Sequence, residues 1–492
     1  MQRRRARVLG SAVASLALAA TSAVVQAPHA EAADPRCAYD SSDFDHDYRA
    51  DQIIGIPGGS GRGGAVQVRL SNDGGDPITK TITGVAGFGS AVTTLSSYTK
   101  AGDEALCSQL VVGSPDEDNN GLARAGVVYV YEYRQQEGRF QARAVYFAPQ
   151  NQGVGGTAQA GARFGAALAA QQRAGENSDS ARTRLYVGSP GQDVGGVRDV
   201  GQVTSFVIDD DEDPGARESQ VLTYASSGVP GNLSAGGALG SSISVDQGLV
   251  AIGAPGQTAG GVARAGAVLV APDRTGSGAF TPYELSQASS GVPGTVESGD
   301  RFGAAVHVTG DGRVGRAPQL LVGAPGEDLG ATTDSGSVTV APLSRTTGRP
   351  DGTVRSWDQN STGMAGTAET GDALGSSVTS TESWKSGLVR LAGAPGEDVG
   401  SARDAGMVQI VGAGPGWTQD STGVPGTSEA GDRMGASLGG TPSSGYDNLL
   451  TGVPGEDASA GAVLMHLPLD DSRVTRILGT RAGSRYGFSV GP

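Results

Sequence analysis

Two short motifs alternate along this chain, and each occurs seven times. One is an apolar run closed by Gly-x-Pro: IIGIPG (53–58), LVVGSPD (110–116), LYVGSPG (185–191), VAIGAPG (250–256), LLVGAPG (320–326), RLAGAPG (390–396) and LLTGVPG (449–455). The other is an aromatic or apolar residue followed by Gly and a small residue: GFGSAV (87–92), RFGAAL (163–168), ALGSSI (238–243), RFGAAV (301–306), ALGSSV (373–378), RMGASL (433–438) and RYGFSV (485–490). A repeat of 52 to 76 residues is too long for helical hairpins and suits four short strands with their loops. The Phe-Gly motif opens the first strand and the Gly-x-Pro run is the second. A third follows a glycine, as in AGVVYVYEY (125–133), and a fourth precedes the next turn, as in FQARAVYF (140–147). Proline ends the second strand because it cannot donate to the ladder. Composition agrees with an all-β chain, since 81 of 492 residues are glycine and they recur between short β-branched runs.

The paired motifs resemble the FG-GAP repeat of the integrin α-subunit head, which also occurs in many secreted bacterial proteins. The resemblance covers nearly the whole chain after residue 32. It implies a seven-bladed β-propeller, with residues 33–492 as one domain. The ends add a detail. The first Gly-x-Pro motif has no Phe-Gly motif before it, and the last Phe-Gly motif has no Gly-x-Pro after it. One blade is therefore expected to be split, with three strands from about residues 50–84 and its innermost strand from the C-terminal residues. That closure would hide both sheet edges.

Before the first strand stands DFDHDYRAD (43–51). Calcium takes six to eight oxygens, and alternating side-chain ligands are the usual way a loop supplies them. Asp43, Asp45 and Asp47 fill positions one, three and five; the Arg49 carbonyl fits seven and Asp51 fits nine. The FG-GAP resemblance implies one structural calcium here, because its loops read D-x-D-x-D-G-x-x-D. Tyr48 departs from that pattern at the glycine, where a bulky residue costs roughly 1–2 kcal/mol if the turn is left-handed. A solvated acidic turn is the alternative. The corresponding segments of the other blades carry no D-x-D run, so one ion is the expectation.

The N-terminus reads as an export signal over residues 1–32. Arg3, Arg4, Arg5 and Arg7 precede an apolar stretch from Val8 to about Val25, and Ala30-Glu31-Ala32 offers small residues for cleavage. An uncleaved anchor is the alternative, and the export route stays open. No later segment reaches the roughly 20 apolar residues of a membrane span, so a secreted, monomeric protein is expected. The net charge of −15, more negative once the leader is gone, argues against nucleic acid and anionic lipid. In an exported chain Cys37 and Cys107 read as a disulfide closing a loop of about 70 residues, worth roughly 4 kcal/mol, with free thiols as the alternative.

Strand order sends the loops between strands two and three, and those between blades, to one face. Acids recur there: Glu117/Asp118, Glu327/Asp328, Glu397/Asp398 and Glu456/Asp457 in one kind of loop, Glu297/Asp300, Glu369/Asp372 and Glu429/Asp432 in the other. They read either as a cation-attracting face or as acceptors for turn N–H groups, and a feature of most blades favours the second. Integrin-like propellers bind partners on this face. Arg62 and Arg264, where the acids lapse, and Glu327, Asp328, Glu397 and Asp398 are therefore the candidates the resemblance implies.

Catalytic signatures are thin. His46, His307 and His466 show no metal-ligand spacing, and GASLG around Ser437 lies in a Phe-Gly strand instead of a nucleophile elbow. Some FG-GAP propellers accompany hydrolases, but there the catalytic domain is separate. A binding or adhesion module for an extracellular protein or glycan, and not an enzyme, is expected. A carbohydrate-binding scaffold is a further reading, with Trp357, Trp384 and Trp417 as the available stacking surfaces.

Overall fold

The computed structural model describes residues 42–491 except 48, 59–62, 72–75, 102–103, 143–145, 172–182, 209–214, 247, 274–280, 310–316, 384–386, 413, 442–447, 467–473 and 480–482. The described residues form seven four-stranded antiparallel sheets and almost no helix. Six sheets use four consecutive strands each. The seventh, blade 1, is built from both ends of the chain. Its innermost strand is Ser489–Gly491, followed outward by Gln52–Ile56, Ala65–Leu70 and Ile78–Thr83. Ile53, Ile54 and Gly55 pair antiparallel with Gly491, Val490 and Ser489, so the split blade expected from the unpaired motifs is present.

The innermost strands touch one another in a closed cycle around the axis, including Ser489–Gly491 against Ala91–Ala101 on one side and Ser437–Thr441 on the other. Blades are numbered 1 to 7 from the split one in chain order. Hydrophobic clusters each combine residues of adjacent blades. Leu249, Val268 and Leu285 of blade 4 pack with Phe302, Leu320 and Val322 of blade 5, for example. The core is thus a set of inter-sheet layers, as stacked antiparallel sheets require.

The two repeated motifs meet at one contact. A Cβ added to the Gly-x-Pro glycine of any blade would collide with the carbonyl oxygen of the Phe-Gly glycine in the next. This holds for Gly55 with Gly89, Gly113 with Gly165, Gly188 with Gly240, Gly253 with Gly303, Gly323 with Gly375, Gly393 with Gly435 and Gly452 with Gly487. Backbone rests on backbone there, and only glycine permits it. The residue before each aromatic or apolar position is also left-handed, from Gly87 (φ 86) to Arg485 (φ 55). That turn aims the next backbone N–H at the preceding blade, where Phe302 N donates to Ala265 O at 2.9 Å and Leu374 N to Ser335 O at 3.0 Å.

The proposed leader (1–32) and Cys37 lie outside the described residues. Cys107 sits in strand Glu104–Ser114, with its side chain outside them too. Among the described residues no helix is long and apolar enough to cross a membrane.

Candidate functional site

The segment 42–51 runs across the boundary between blades 1 and 2. Phe44 anchors it, 2 % exposed, in the cluster that joins Ile53, Val66 and Val68 of blade 1 to Phe88, Leu110 and Val112 of blade 2. Its ring stands edge-on to Phe140 of blade 2, with centroids 5.2 Å apart. Ser108 Oγ donates to the Asp43 carbonyl at 3.2 Å, and the Gln135 amide donates to the Asp45 carbonyl. On the blade 1 side, Ser71 N donates to Asp51 Oδ1 at 2.8 Å, and Ser71 Oγ donates to Asp47 Oδ2 at 2.6 Å. Phe44 N completes the turn by donating to Asp51 Oδ2 at 2.8 Å.

This folding gathers three of the four aspartates. Carboxylate oxygens of Asp43, Asp45 and Asp51 lie within 4.8 Å of one another. Asp51 is fully buried, Asp43 nearly so, and Asp45 Oδ1 is a buried oxygen that meets no donor among the described residues. Burial first, and then the neighbouring carboxylates, push Asp51 up to about 9. Burial, and then Asp47, push Asp45 up to about 6. An all-oxygen set of buried carboxylates with an orphaned oxygen suits a hard divalent cation, which would restore the ionised forms. Asp47 stands outside the trio because Ser71 Oγ and the Arg49 N–H, at 3.0 Å, hold its two oxygens. Arg49 is exposed. Tyr48 is outside the described residues; among those described in the turn, His46 is left-handed (φ 62).

Most of the recurring acids of the loop face have their carboxylates engaged within the fold. Asp328 and Asp398 each accept the N–H six residues on, from Asp334 at 2.8 Å and Asp404 at 2.9 Å. Glu327 and Glu397 are buried and accept the side-chain amides of Gln287 and Gln359 from the loops entering their blades. Gln419 serves Glu456 in the same way. Asp300, Asp372 and Asp432, each 1 % exposed, accept the N–H of Glu297, Glu369 and Glu429 at 2.5–2.7 Å. Burial raises Glu327 and Glu397 to about 7, and Asp300, Asp372 and Asp432 to about 6.

The glutamines were not singled out from the sequence. Their signal is positional: Gln287, Gln359 and Gln419 each stand fifteen residues before Phe302, Leu374 and Met434 in the strings QASSG, QNSTG and QDSTG. Arg264 is exposed, with a left-handed backbone (φ 59) and its carbonyl accepting Gly299 N. Arg62 falls outside the described residues. His307 Nε2 lies 2.9 Å from Ser380 Oγ between blades 5 and 6, and burial lowers its pKa to about 4. Ser437 Oγ donates to the Gly487 carbonyl at 2.8 Å, a structural bond to blade 1.

No family model matches this sequence, and no curated protein does. Among solved structures, the periplasmic gluconolactonase PpgL of Pseudomonas aeruginosa is similar to 88 % of this chain and 97 % of its own, at 14 % identity and a TM-score of 0.45. A thermostable family-43 glycoside hydrolase is similar over 62 % of this chain and 89 % of its own, at 12 % identity and a TM-score of 0.31.

Proposed function

We propose that this chain is a secreted binding module of the FG-GAP type, a propeller whose ring is clasped by one calcium ion and which is not itself an enzyme. The observation that carries the reading is the convergence of Asp43, Asp45 and Asp51 at one buried point of the segment strapped across blades 1 and 2. Asp43, Asp45 and Asp51 would hold the ion. The ion would supply positive charge to the trio, in which burial otherwise forces Asp45 and Asp51 toward their neutral forms. Strap and closing strand act on the same blade, so the ion would stabilise the ring instead of performing chemistry. Among the described residues, Ser437 is committed to a backbone carbonyl, which supports a structural role for its GASLG segment.

The test is calcium binding by the purified chain, followed by denaturant unfolding with calcium or with chelator. One ion per chain is expected. Calcium a few hundred-fold above its Kd should add about 3 kcal/mol of stability. Asp51→Asn should remove most of the difference between the two conditions. Unfolding that ignores chelator, in protein that carries no calcium, would overturn the clasp.

A further inference from the structure

The wedge between the sheets of blades 5 and 6 is open at the end away from the Gly-x-Pro loops. Neighbouring blades diverge with distance from the axis, so their outer strands need bulk to fill the gap. In blade 6 the outermost strand is only two residues, Gly416–Trp417, and the strand before it, Met407–Ile410, runs on into Val411 and Gly412. A cleft of about 490 Å³ results. Val340, Val389 and Ile410 give it an aliphatic lining, and Trp357, Arg355 and Arg390 complete its chemistry.

Three features set this cleft apart. Among the described residues no carboxylate lines it, in a chain whose net charge is −15. Arg355 is exposed and its guanidinium has no ion pair or hydrogen bond among the described residues, while Gln319 Oε1 accepts Arg390 Nε at 2.6 Å and orients that second guanidinium. The half-buried Trp357 has no acceptor for its indole N–H among the described residues. Gly412 keeps the neighbouring edge of that ring clear. A Cβ there would stand 3.1–3.4 Å from ring atoms Cζ2, Cε2 and Nε1, on a backbone at φ +89.

We propose that this cleft binds an acidic sugar, a uronic acid residue or short oligouronide. Such a ligand has an apolar ring face for the indole and the aliphatic side chains, hydroxyls for the indole N–H, and a carboxylate for the guanidinium fork. A cleft of this volume is in the range of small-ligand sites. The acids on the rest of the surface do not prevent it, because charge beyond about 8 Å is screened at physiological salt. The assignment deepens the binding-module reading and rests on it, but does not depend on the calcium clasp.

The experiment is a fluorescence titration of the full chain, in calcium at 0.15 M salt, with a triuronide, a neutral trisaccharide and tetraglutamate. Melting temperature and bound calcium are measured on the same samples. The triuronide should bind saturably, and the neutral sugar about ten-fold more weakly, the size of one lost charge-assisted bond. Arg355→Gln should weaken the triuronide by a similar factor without moving the melting temperature, since Arg355 is solvent-exposed. Equal binding of the neutral sugar, an unaffected Arg355→Gln, or the absence of saturation would overturn the proposal. Tetraglutamate binding as tightly as the triuronide would overturn it too, in favour of an acidic peptide. Failure in folded, calcium-loaded protein sinks the cleft alone. Uronide binding by protein that never takes up calcium sinks the clasp alone.

Discussion

Blades 5 to 7 and blade 1 solve the same problem with different chemistry. In blades 5, 6 and 7 a glutamine from the entering loop donates to a buried glutamate, and an aspartate caps the turn beside it. The acids there have local partners, neutral amides in blades 5 and 6 and both Gln419 and the Arg476 guanidinium in blade 7, and the chain runs continuously into each blade. Blade 1 has no continuous entry, because its inner strand arrives from the other end of the sequence. Its support is the segment 42–51, which reaches from Ser71 across to Ser108, Gln135 and Phe140. In the continuous blades buried acid is stabilised by amide donors. At the seam it is concentrated in three carboxylates, which suit an ion.

The sharpest way to break this contrast is to remove the closing strand. Deleting residues 484–492 takes away the pairing of Ile53–Gly55 with Ser489–Gly491 and the Ser489 hydroxyl bond to the Gly89 carbonyl at 2.8 Å. The expected loss is of the order of the global stability, about 5–15 kcal/mol, seen as a vanished or broadened melting transition. A deletion that melted cooperatively at the original temperature would mean that blade 1 closes by other contacts.

Next in size is the glycine contact. Gly323→Ala, between blades 5 and 6, and Gly452→Ala, between blade 7 and blade 1, each force a methyl into a carbonyl oxygen. Each should cost roughly 1–3 kcal/mol or more, because backbone must shift on both sides. If the seam is the weaker region, Gly452→Ala shows the larger fall in denaturation midpoint. Equal falls would show that the seam is as rigid as the rest of the ring.

The smallest effect concerns pH. Glu327 and Glu397 sit at about 7 in the fold, against an ordinary carboxylate value of 4.5. As pH climbs from about 4.5 to 7, the unfolded chain gives up these protons while the fold retains them. Stability therefore falls across that window and levels off above it. After allowance for solvent screening, each group contributes about 1–2 kcal/mol of this slope. Glu327→Gln with Glu397→Gln should flatten the denaturation midpoint between pH 5 and 7.5, and an unchanged profile would shift the cause to other acids.

Much of the ring was legible in the order of residues. Motifs recurring at blade-length intervals expose the strands, and the unmatched motif at each end marks the split blade. What the glycines touch was not legible, since the partner of Gly323 is Gly375, in the next repeat. The aspartate spacing located the strap. It could not show that Ser71, twenty residues beyond Asp51, would hold the Asp47 carboxylate outside the trio. The acid-rich loops were visible, but the role of Glu327 depends on Gln287, a neutral residue forty positions earlier. The cleft between blades 5 and 6 arises from a shortened strand and one glycine, and neither departs from the repeat pattern enough to stand out.

The glycine-on-glycine contact has a direction. Every blade offers its Gly-x-Pro glycine to the blade after it and its Phe-Gly glycine to the blade before, so the ring is joined head to tail. Interfaces of that kind form a closed ring when the rotation returns to its start and an open filament when it does not. A molecule whose final strand swung out, with Gly487 still on it, would present an unsatisfied Gly452 and a free closing strand, each complementary to the other on a second copy. The seam therefore separates two assemblies of the same blades, a sealed monomer and a growing chain of propellers.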